Sequence, residues 1–75
     1  MKKFISYTYC PEADGSVRLI EVIDTGDTVE SHTFCRLAAG EEANLFLDNV
    51  ENVWDTRPDV ADYLIESLIR DYLVQ

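Results

Sequence analysis

Basic residues are scarce in this chain of 75: six Lys and Arg stand against 15 Asp and Glu, for a formal net charge of -9. Each contact with a nucleic-acid phosphate or an anionic lipid headgroup calls for a Lys or Arg, so direct binding to DNA, RNA or an acidic membrane surface is disfavoured. Glycine is scarce as well. Gly15, Gly26 and Gly40 stand singly, with no glycine-rich loop to cradle a phosphate. One histidine, His32, and two widely separated cysteines, Cys10 and Cys35, lack the paired spacing of a zinc site. They offer little for a nucleophile and its base, since only Arg36 beside Cys35 would lower a thiol pKa. Asp24, Asp27 and Glu30 around Gly26 lack the residue order of a calcium-binding loop. No metal, no cofactor and no enzymatic activity are therefore expected. No apolar run approaches the roughly 18 residues of a membrane span, and the start lacks the charged, apolar and cleavage regions of a signal peptide. A cytoplasmic protein is expected, with both thiols reduced and partly buried.

What is present is enough to fold. Length and a hydrophobic content of 47% fit one domain spanning 1–75. A chain this short buries only about 60% of the surface its unfolded form exposes, so the core is thin and either a monomer or a homodimer is admissible. Lys3 to Cys10 alternates Ile5, Tyr7 and Tyr9 with Ser6 and Thr8, the period of a strand with one apolar face. Pro11 and the Asp14-Gly15-Ser16 cluster end it. Val17 to Asp24 is apolar on both faces, as a middle strand is, and leaves open whether Arg18 or Glu21 faces the core. Thr25-Gly26-Asp27 fits a hairpin connection, and Thr28 to Leu37 alternates weakly as a third strand.

The second half has the helical period. Ala43, Phe46, Leu47, Val50, Val53 and Trp54 lie along one side of a helix entered through Ala38 to Gly40, and Ala61, Leu64, Ile65, Leu68, Tyr72 and Leu73 along one side of another. The spacing predicts the second helix over Pro58 to Val74, with Thr56 as its cap, Pro58 in the first turn and Asp59 at the positive end of the dipole. The bend from Asp55 to Pro58 makes the two helices neighbours. The predicted architecture is a two-layer α+β fold, a three-stranded antiparallel sheet followed by two helices packed on one face. Ile5, Tyr7, Tyr9, Val50, Trp54, Leu64 and Leu68 are its expected core, and the other sheet face stays partly bare.

The charge is uneven along the chain. Residues 1–36 hold Glu12, Asp14, Glu21, Asp24, Asp27 and Glu30 against Lys2, Lys3, Arg18 and Arg36, whereas the acids of residues 37–75 face only Arg57 and Arg70. The candidate site is the acidic surface of the two helices: Glu41, Asp48, Glu51, Asp55, Asp59, Asp62 and Glu66, with Tyr63 as an exposed aromatic contact. Residues three or four apart on a helix lie about 5–6 Å from each other, so such a row can oppose the Lys and Arg side chains of a basic nucleic-acid-binding protein. Like charges at i and i+4, such as Asp62 and Glu66, cost a few tenths of a kcal/mol, and few bases offset them. The opposing reading is a solvated helix face that keeps a small domain soluble, with binding left to the sheet around Phe4, Ser6 and Thr8 in a toxin-neutralising or regulatory subunit. Trp54, Tyr7, Tyr9, Tyr63 and Tyr72 lack the positive groove of a base-stacking platform, which assigns Trp54 to the core.

A chain of this size that opens MKKFISY, runs through a short meander into two acidic helices and carries no catalytic motif resembles the small phage-encoded anti-CRISPR proteins. The resemblance covers the whole chain as a pattern of elements and charge. It implies stoichiometric inhibition of a bacterial defence complex in the host cytoplasm, by covering the Lys- and Arg-rich nucleic-acid channel of a CRISPR effector. Such inhibitors are diverse in sequence and fold, so no individual residue role is carried over.

Overall fold

The alternating first half forms strands. In the computed structural model, which describes residues 3–74, β1 (Phe4–Pro11), β2 (Val17–Asp24) and β3 (Val29–Leu37) make one antiparallel sheet in the order β1-β2-β3. Lys2, counted above among the bases of the first half, lies outside the described residues. Helices α1 (Glu41–Thr56) and α2 (Ala61–Arg70) follow. Pro11, expected to break β1, is instead its last paired residue, a place an edge strand can give to a residue with no N–H.

Two acids of the first half are spent on turns. Asp14 Oδ1 accepts hydrogen bonds from the Ser16 hydroxyl at 2.6 Å and the Ser16 N–H at 2.9 Å, and these hold its carboxyl below the usual range. Gly15 between them takes φ +92°, a backbone strained for any side chain, and an added Cβ would meet Ala39 at 3.4 Å. In the β2–β3 hairpin the Gly26 N–H donates to Asp24 Oδ1 at 2.8 Å, and the Thr25 N–H donates to the Thr28 carbonyl at 3.1 Å.

The strand register decides the parity of β2. Val17 pairs with Leu37, and Leu19 with both Tyr9 and Cys35, so these side chains share one face. Val17, Leu19 and Leu37 are fully buried there against Ala43, Phe46 and Val50 of α1 and Ala61, Ile65 and Ile69 of α2. Arg18 is on the opposite face, ion-paired with Glu12 and donating to Thr33 Oγ1 at 3.2 Å. Beyond Leu19 the β2–β3 register slips, with Phe34 as the extra residue. The bulge turns Phe34 to the helix side, where its ring meets Tyr7 edge-on at 6.1 Å. Phe46 fills the centre, in edge-on contact with Tyr9 at 5.4 Å and Tyr72 at 6.1 Å.

Three sequence expectations are corrected. Trp54 and Ile5, assigned to the core, are 47% and 45% exposed. Trp54 is in the last turns of α1, at the margin of the apolar arc, and Ile5 pairs with Ile23 beyond the half of the sheet that Val17, Leu19 and Leu37 mark as covered. The predicted helix over Pro58 to Val74 is three segments: a 3-10 turn at Pro58–Val60, α2, and a 3-10 turn at Asp71–Val74. Arg57, which precedes Pro58, has a non-helical backbone (φ -138°, ψ 56°), and this breaks the helix at its start. The tighter 3.0-residue repeat at its end carries Leu73 off the buried stripe, leaving it exposed. Thr56 caps neither helix, because it closes α1 and donates its hydroxyl to the Asn52 carbonyl at 2.8 Å.

Cys10 and Cys35 are free and half-buried. Cys35 faces the helices beside Leu19, whereas Cys10 pairs with Arg18 on the other face and two strands away, roughly 10 Å at ordinary strand spacing. A disulfide between them is ruled out. Among the described residues, no helix is long and apolar enough to cross a membrane.

Candidate functional site

The helical period of α1 gathers Glu41, Asp48, Glu51 and Asp55 into an arc of roughly 80°, opposite the arc of Ala43, Phe46 and Val50 that packs on the sheet. All four are exposed, as are Asp59 in the 3-10 turn and Asp62 on α2, whereas Glu66 is half-buried. Tyr63 is 68% exposed. The acids thus form two groups, a stripe along α1 and the Asp62–Glu66 pair on the flank of α2 nearest β1.

Their electrostatic setting differs from that of the sheet. Among the described residues two ion pairs occur, Arg18 with Glu12, and His32 with Glu30 at 3.6 Å when the imidazole is protonated. Both belong to the sheet half. Among the described residues, no carboxylate of α1, α2 or the turn between them has a basic partner within bonding distance, so their fields add rather than cancel.

Between β1 and the helices opens a groove of about 260 Å³. Tyr7, Thr8 and Tyr9 of β1 form one wall, Trp54 closes one side, and Asp62, Ile65 and Glu66 of α2 form the other wall. Tyr7 and Tyr9 reach it because odd-numbered residues of β1 point to the helix layer. The Tyr7 hydroxyl donates to Glu21 Oε2 at 3.4 Å. Burial, then the charge of Glu21 and this hydrogen bond, push the phenol above its ordinary value of 10.0, against a smaller opposing pull from Arg70. A raised phenol pKa favours the folded protein while the group is neutral. That stabilisation is complete below about pH 10 and is lost as pH rises through the folded-state value. Glu21→Ala removes two of the causes, so the Tyr7 titration, followed by tyrosinate absorbance against a Tyr7→Phe control, is expected to move down without reaching the ordinary value.

The groove brings together only two of the sequence-predicted residues, Asp62 and Glu66; Tyr63 and the α1 acids lie outside it. Its aromatic wall was missed. The signal was Trp54's position: two residues before the end of its helix, with Arg57 and Pro58 just beyond, a large ring has no following turn to cover it. Elsewhere, His32 stands with Glu30 rather than with either cysteine, and among the described residues no group of three His, Cys, Asp or Glu side chains is placed to hold a metal ion. No protein-family model, curated protein or solved structure matches the chain, so the site is read from its own geometry.

Proposed function

We propose that the protein is a non-enzymatic inhibitor that binds a basic, nucleic-acid-binding partner through the acids of its helical half, standing in for nucleic-acid phosphates. One observation carries this reading: the carboxylates of α1 and α2 have no basic partner among the described residues, whereas the sheet half neutralises part of its charge internally. A surface kept only for solubility has no need of like charges stacked at i and i+4 without offsetting bases. A Lys- and Arg-lined channel is the complementary surface, and phosphate contacts are what it is built to make.

The bacterial defence complexes that bind DNA in such channels, CRISPR effectors, are the partner class put forward, and the host cytoplasm the place of action. The experiment is competition on a purified CRISPR surveillance complex, with labelled target DNA as reporter. Pre-incubation with the protein is expected to block DNA binding at near-equimolar ratio. Unchanged DNA binding across complexes of several subtypes would remove this partner class.

A second reading has its own support. Phe4 and Val29 are 64% and 67% exposed, and the register sets them on either side of Asp24 on the sheet face away from the helices. A protein-binding subunit using that face, with the charge serving solubility, would lose binding on Phe4→Ala and keep it when helix acids are reversed.

A further inference from the structure

We infer that the groove between β1 and α2 is a receptor for one arginine side chain, presented by an extended segment of a partner protein running beside the open edge of β1. Three features of the groove select that occupant.

The first is size. A cavity of about 260 Å³ lies just below the roughly 300–1,000 Å³ of sites for drug-sized ligands and far above the roughly 30 Å³ of a single water, so it fits one long side chain better than a metal ion or a folded element. The second is charge. Asp62 and Glu66 are one helical turn apart on the same wall and have no ion-pair partner among the described residues. Two carboxylates so spaced match the forked donors of a guanidinium better than the single point charge of an ammonium. The third is the aromatic lining. Tyr7, Tyr9 and the half-exposed Trp54 line the same cavity as the two carboxylates, and a planar guanidinium is a cation that aromatic rings attract. A base-stacking role fails on the same observation, because two carboxylates in the wall repel a phosphodiester.

The position of the groove tells how the arginine arrives. β1 has β2 on one side and, among the described residues, no strand on the other, so the strand whose Tyr7, Thr8 and Tyr9 line the groove also carries unpaired backbone groups along its outer edge. An extended segment can add there as a fourth strand, with main-chain hydrogen bonds supplying affinity and alternate side chains meeting the groove. Arg70, close enough to oppose the shift at Tyr7, forms no ion pair with Asp62 or Glu66 and leaves the site to an incoming cation.

The inference goes beyond phosphate mimicry. It rests on Asp62 and Glu66, which that reading also uses, but its own test needs no CRISPR complex. Trp54 is the chain's single tryptophan, so its fluorescence and indole N–H resonance report on the groove alone. The probe is a blocked pentapeptide, acetyl-Thr-Val-Arg-Val-Thr-amide, with lysine and citrulline versions. The arginine peptide is expected to give a saturable Trp54 response, with the lysine version weaker and the neutral citrulline version weaker by about tenfold or more. Asp62→Asn with Glu66→Gln is expected to lose about tenfold, while Asp27→Asn with Glu30→Gln, the same charge change at the exposed β2–β3 hairpin, changes affinity by less than about threefold. No Trp54 response up to about 1 mM peptide, an equal response to citrulline, or unchanged binding in the Asp62/Glu66 variant overturns the assignment. Failure here with DNA competition intact would leave the acidic-face reading standing, and the reverse outcome would leave the groove.

Discussion

Phe46→Ala is expected to cost about 3–5 kcal/mol and to leave the domain largely unfolded at physiological temperature. Phe46 is only 1% exposed, and its ring is the shared contact of Tyr9 on β1 and Tyr72 after α2, so removing it opens a void where the sheet, α1 and the C-terminal turn meet. Domains of this size have about 4–11 kcal/mol in all, so one side chain accounts for a large share. At about 4–8 °C per kcal/mol, the midpoint of thermal unfolding should fall by roughly 12–40 °C. The adjacent Leu45 supplies the contrast: it is 60% exposed on the same helix, and Leu45→Ala should stay within about 0.5 kcal/mol of the parent. Chemical denaturation followed by far-ultraviolet circular dichroism measures both. Equal losses at the two positions would mean that the arrangement of α1 on the sheet is wrong.

The largest effect on binding is expected from reversing charge on the helices. Changing Asp48, Glu51, Asp62 and Glu66 to lysine converts four attractions into four repulsions against a basic channel and brings the chain close to neutral. Exposed charge pairs are individually worth about 0.2–1 kcal/mol, so the combined swing is on the order of a hundredfold or more in affinity. Asp48, Glu51 and Asp62 are exposed and Glu66 half-buried, and none of the four has an ion pair to lose among the described residues, so the helical spectrum is expected to persist. Loss of inhibition in a folded variant assigns the acids to the interface. Inhibition that survives assigns them to solubility and transfers attention to Phe4 and the open sheet face.

Much of the fold was legible because its signals are local. The alternation of Ile5, Tyr7 and Tyr9, the turn residues around Gly15 and Gly26, and the three-and-four spacing from Ala43 to Val50 each arise from one element's own geometry, and the strands and α1 fall within a residue or so of where that spacing puts them. What was not legible depends on neighbours. Pattern alone does not reveal that Phe34 would join the helix side, because the bulge that turns it exists only against β2. Ile69 fits a buried arc as well as Leu64 does, and only the docking of α2 on β1 makes Ile69 fully buried and Leu64 half-buried. The acids followed the same division. The exposure of all but the half-buried Glu66 was readable from the helical period, but the separation of Asp62 and Glu66 from the α1 stripe, and their meeting with Tyr7, Tyr9 and Trp54, required the packing of three elements.

The account rests on the helical carboxylates being held unneutralised for a basic partner. The most direct measurement is the affinity of the protein for a purified CRISPR surveillance complex across a range of salt, for the parent and for the four-lysine variant. The account predicts parent binding that weakens at least about tenfold between roughly 0.05 and 0.5 M salt, and a variant with little binding left to screen. Parent affinity that is flat in salt, with the variant bound equally well, would contradict it.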